Sequence, residues 1–123
     1  MARLSVREQA AAFASEFGTT TDRVLNPRGR GARRYVHIRW ALGLYIAERF
    51  AERRPKGELG LKHASRQLGM HHSTLIHARE FLPIVYMTRP GFERKVALAK
   101  RMIEQKEACN AALQSVGDNG RVT

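Results

Sequence analysis

Two short runs of leucine and alanine at helical spacing, parted by one glycine, set the tightest limit on what this chain can become. Leu59, Leu61, Ala64 and Leu68 mark the first run. Leu75, Ala78 and Leu82 mark the second, with the aliphatic stem of Arg79 beside them. Each run gathers its apolar side chains on one helical face. Gly69 between them supplies the tight turn that two crossing helices need, which is the geometry of a helix-turn-helix. Pro83 should end or kink the second segment at Leu82.

The flanking sequence reads as helix too. Ser5-Val6-Arg7-Glu8 has the form of a capping box, and Phe17-Gly18 that of a left-handed stop. Thr21-Asp22 can cap a short second helix through Leu25, which Asn26-Pro27 breaks. A long third helix is expected from about Arg34 to Arg54, with an apolar stripe at Val36, Trp40, Leu44, Ala47 and Ala51; Pro55 and Gly57 end it. Trp40 on that stripe reads as core more readily than as a base-stacking ring. A final helix should start near Thr88-Arg89-Pro90, with the proline in its first turn and Phe92, Val96, Ala99 and Ile103 on one face. No strand alternation and no internal repeat occur. The expected fold is therefore all-α, a compact domain of about five to six helices over residues 1–112. Residues 113–123, rich in Ser, Gly, Asp and Asn, read as a flexible tail.

Charge narrows the function. The 123 residues carry 22 Lys and Arg against 11 Asp and Glu, a net of +11. Residues 27–57 alone hold nine basic and two acidic side chains, and no acid interrupts Arg28, Arg30, Arg33 and Arg34. Such a cluster calls for a polyanionic partner. Its residues sit in a glycine-broken loop, not along one amphipathic face, which speaks for nucleic acid and against a membrane surface. Charges at Arg3, Arg7 and Glu8 interrupt any apolar signal core, and one cysteine, Cys109, cannot form an internal disulfide. A cytoplasmic, nucleoid-associated protein is expected.

The residues that decide the class are Met70-His71-His72-Ser73-Thr74-Leu75-Ile76-His77-Ala78. Positions 73, 74 and 77 share a helical face opposite Leu75, Ala78 and Leu82, so short hydroxyls and imidazoles point outward from a helix start. Free amides there take phosphate, and base edges come within reach. This stretch resembles the signature of the C-terminal DNA-binding domain of the bacterial replication initiator DnaA, and the resemblance extends over roughly residues 5–105. It implies that His71, His72, Ser73 and Thr74 read bases in the major groove, and that the loop holding Arg28 and Arg30 enters the minor groove. Arg33, Arg34, His37, Lys62 and His77 join them as candidate DNA contacts. Two departures stand out. The family's aspartate is His71 here, and its Gly-Gly-Arg turn is shortened to Gly69-Met70. An aspartate accepts from cytosine, whereas a histidine donates more readily to guanine or phosphate, so a different sequence should be read.

Other chemistries find less support. Five histidines include no His-x-x-x-His pair, no zincin glutamate and no cysteine pair. Cys109 has no sequence partner that would activate it. The phosphate-binding Gly-x-x-x-x-Gly-Lys motif is missing, so no ATPase accompanies the DNA-binding module. A non-specific architectural or RNA-binding role explains the charge but not the His-Ser-Thr helix start. The expectation is a sequence-specific double-stranded DNA-binding protein and not an enzyme, without cofactor, metal, membrane or small-molecule substrate. Detached domains of this type resemble transcription regulators of phage-like or gene transfer agent genes. That resemblance implies RNA polymerase or an activator subunit as a protein partner.

Overall fold

Helix ends in this protein fall where side chains or glycines can satisfy them. A computed structural model describes residues 3–29, 31–51 and 59–122. Among the described residues there are six helices and no strand, in the order α1 (Val6–Phe17), α2 (Thr21–Leu25), α3 (Ala32–Ala51), α4 (Leu59–Leu68), α5 (His72–Thr88) and α6 (Phe92–Val122). Ser5 Oγ accepts from the Glu8 amide at 3.1 Å while Glu8 Oε1 accepts from the Ser5 amide at 3.1 Å, which closes the start of α1. Gly18, at φ 66°, ends it; the Thr19 amide donates back to the Ala14 carbonyl at 2.9 Å. The cap of α2 is Thr20, one residue before the expected Thr21; its hydroxyl accepts from the Arg23 amide.

The central helix corrects the expected stripe. Ile38, Ala41, Leu42, Tyr45 and Ile46 form its buried face together with Ala47 of the expected stripe, whereas Val36, Trp40 and Leu44 are only half-buried. The cause is topological: α3 touches each of the other five helices, so it is buried on several sides and no single stripe describes it. It also begins at Ala32, two residues before the expected Arg34. Its expected stop at Pro55 and Gly57 lies outside the described residues.

Both prolines behave differently from expectation. Of the expected end or kink at Pro83, the end does not occur: helix α5 continues past it to Thr88. Pro83 lies on the exposed side, where the carbonyl it leaves unpaired can face water, while Leu82 and Val85 on either side stay anchored in the core. Pro90 and Gly91 (φ 81°) form the turn between α5 and α6, and α6 starts only at Phe92. Its face of Phe92, Val96, Ala99 and Ile103 is buried as expected. The helix continues to Val122, into the stretch expected to be a flexible tail. No stop such as a proline interrupts the backbone after Phe92, although nothing packs on residues 108–114, which are exposed.

A buried charge network joins the first, third and last helices. Arg49 of α3 pairs with Glu107 of α6, their side chains only 11% and 13% exposed. The second Glu107 oxygen accepts from the Leu4 amide at 3.0 Å, just before α1. The far side of α3 carries α4 and α5. No helix among the described residues is long and apolar enough to cross a membrane.

Candidate nucleic-acid interface

The turn between α4 and α5 is held from both sides. Gly69 takes φ 66°, the Met70 amide donates to the Ser65 carbonyl at 2.9 Å, and the Gly69 amide donates to the Arg66 carbonyl at 3.3 Å. That doubly bonded stop needs a left-handed residue, and glycine adopts it without strain. From α3, the Arg39 guanidinium donates to the Leu68 carbonyl and so fastens the end of α4. Two helical glycines bring the motif close to α3. A Cβ on Gly60 would lie 2.5 Å from the Ala47 carbonyl oxygen, and one on Gly43 would lie 2.7 Å from the Leu75 side chain. Backbone contact at Gly60 therefore sets how α4 crosses α3.

The start of α5 presents the expected face. Leu75, Ala78 and Leu82 are buried; Ser73 and His77 are exposed, and His72 and Thr74 half-buried. His71 is the cap. Its Nδ1 accepts from the Ser73 amide at 3.2 Å and lies 2.7 Å from the Ser73 hydroxyl, which donates to it when Nδ1 is unprotonated. The rings of His71 and His72 stack at 5.1 Å. No acidic side chain stands in the first turn of α5, nor in that of α3 or α4. The partial positive charge of the α5 start is thus met by no carboxylate of its own first turn.

Two helices packed on α5 carry exposed basic residues: Lys62 on α4, and on α3 the arginines that lie beside the far end of α5, near Thr88, Arg89 and Pro90. Arg33 and Arg34 are exposed in the first turn of α3, not in the loop, because the helix starts early. Cations at that end oppose the helix dipole, a local cost that an external anion would relieve. Gly29 and Gly31, at φ 80° and 78°, shape the loop before it. Arg28 is exposed there, 3.8 Å from Asp22 in an ion pair too open to water to bind the guanidinium firmly. Arg30 lies outside the described residues.

His37 is not brought to this surface. It is 5% exposed, set 5.1 Å from the Trp40 ring and 5.9 Å from Phe81, and its Nδ1 has no hydrogen-bond partner. Desolvation, then the nearby Arg89 and Arg33 charges, hold its pKa below the ordinary histidine value. The sequence reading missed Phe81 and Arg89, which line the same groove. The signal was there, since His77, Phe81, Ile84 and Thr88 follow helical spacing on α5. No group of three or more His, Cys, Asp or Glu is placed to hold a metal among the described residues. No family model, curated protein or solved structure matches this chain.

Proposed function

We propose that this chain is a sequence-specific double-stranded DNA-binding protein that regulates transcription from the nucleoid. Helix α5 would enter the major groove by its start, and the arginines from Arg28 to Arg34 would reach the adjacent backbone or minor groove. The observation that carries the reading is the start of α5: small polar and imidazole side chains on its open face, a buried apolar face behind them, and no acid in its first turn. The same residues carry the resemblance to the DnaA DNA-binding domain. An activator of this size needs contact with RNA polymerase or a partner subunit, and the outer faces of α1 and α6 are the surfaces left for it.

Selection of bound sites from random duplexes, followed by affinity measurements, tests the reading. His72→Ala and Thr74→Ala should each weaken binding to the selected site by about 1–3 kcal/mol and binding to random DNA far less. Affinity should fall with salt at a log–log slope of about −4 to −7. A flat salt response would remove DNA as the partner. Equal binding to selected and random duplexes would make the protein an architectural one.

A further inference from the structure

Along α5 from His77 to its C-terminal end, a groove of about 640 Å³ opens between α3 and α5. Its wall is aromatic, built from His37, Trp40, His77 and Phe81, and Arg33 and Arg89 stand at its rim. The Trp40 ring is nearly perpendicular to both His77 (84°) and Phe81 (85°), while His77 and Phe81 are stacked with only 17° between their planes. A planar ring laid in this corner meets a face on one side and an edge on the other, the two arrangements that aromatic pairs prefer. The volume falls in the range of small-molecule sites, and few polar groups converge on it. The charged groups among them, Arg33 and Arg89, are both cations. His37 is buried and its Nδ1 unpaired, and the two arginines are the charges that face it from α3 and from the end of α5, with His77 as the other titratable neighbour. Rings, cavity and paired cations together describe one kind of ligand.

We propose that this groove binds a small planar aromatic anion, its carboxylate between Arg33 and Arg89 and its ring against Trp40 and Phe81. The bidentate geometry of guanidinium suits a carboxylate, and the half-exposed Ile84 extends the apolar side of the rim. Burial is the first cause of the lowered His37 pKa and the Arg89 and Arg33 charges the second; a bound carboxylate offsets that second part, so the ring becomes easier to protonate. Because His77 belongs both to this wall and to the proposed base-reading face, an occupied groove alters what α5 offers to DNA. That consequence rests on the DNA reading; the site does not.

Trp40 is the chain's one tryptophan, so a single indole N–H signal in a nitrogen-edited NMR spectrum of the full chain reports on the groove. The probes are 2-naphthoate and its uncharged counterpart 2-naphthamide. Naphthoate should shift the indole signal saturably, with a dissociation constant of about 1 mM or tighter, as a ligand of that size commonly reaches. Naphthamide should bind at least about fivefold more weakly, the carboxylate's charged hydrogen bonds being lost. The double variant Arg33→Gln/Arg89→Gln, which alters side chains outside the core, should weaken naphthoate at least about tenfold and leave naphthamide unchanged. The His37 titration midpoint should rise when naphthoate is bound. No saturation by roughly 10 mM naphthoate would overturn the proposal, that limit being well above the expected affinity. Equal binding of both probes, indifference to the double variant, or an unmoved His37 midpoint would do the same. If naphthoate binds as expected while DNA affinity is unaffected, the coupling to DNA is wrong and the site stands.

Discussion

Helices α1 and α5 begin with the same problem, free backbone amides, and meet it in opposite ways. At α1 the answer is internal. Ser5 and Glu8 satisfy each other's amides, and the amide of Ser5 holds the Glu8 carboxyl below the ordinary glutamate range. At α5 the cap is an imidazole nitrogen, and the residue in the place of Glu8 is Thr74. The helices α2 and α6 follow α1, with Asp22 and Glu93 in their first turns; α3 follows α5 and carries no acid there. Glu107, paired with Arg49 of α3, also holds the Leu4 amide just before the closed start of α1, whereas the start of α5 packs against α3 and α4. A start left unneutralised costs stability, and that cost is understandable where an anion from outside supplies the missing charge.

Breaking the closed half should show in stability alone. The largest effect is expected for Glu107→Ala, which leaves Arg49 buried without its partner and should cost about 3 kcal/mol in denaturant unfolding. DNA affinity per folded molecule should hold. A loss well under 1 kcal/mol would mean that the pair is effectively solvated. Ser5→Ala opens the start of α1 and should cost about 1 kcal/mol, again without effect on DNA. A smaller effect comes from the groove between the halves. His37 is harder to protonate in the folded protein than in the unfolded chain, so the unfolded state takes up the proton first. Stability should therefore be highest above pH 6.5 and fall as the pH drops below that ordinary histidine value. His37→Gln should flatten this dependence; an unchanged pH profile would assign it to other groups.

Much of the closed half was legible before any coordinates. Ser5-x-x-Glu8, Gly18 and Gly69 act within a few residues, and local chemistry alone locates helix ends. The open face of α5 was legible for the same reason, because helical spacing puts Ser73 and His77 opposite Leu75 and Ala78. What escaped depends on long-range packing. Arg49 and Glu107 are 58 residues apart, and no periodicity joins them. The buried face of α3 is decided by five neighbours, so a one-stripe reading chose Val36, Trp40 and Leu44 where Ile38, Leu42 and Tyr45 go inside. Gly60 went unremarked in the sequence, yet it lets two backbones meet. Pro83 read as an end or a kink because its lost hydrogen bond is local, while the core contacts of Leu82 and Val85 that carry the helix past it are not.

Closing the open start tests the central claim most directly. Thr74→Glu places at the third position of α5 the residue type that Glu8 supplies in α1, so it supplies a carboxylate for the free amides from within. Thermal unfolding should be unchanged or shifted slightly upward, since an acid in the first turn suits the helix dipole. Affinity for both the selected duplex and random DNA should fall at least about tenfold, because the carboxylate now occupies the ground where a phosphate would bind. A variant that keeps its stability and still binds both duplexes like the parent would contradict the account: the start of α5 would then not be the surface that meets DNA.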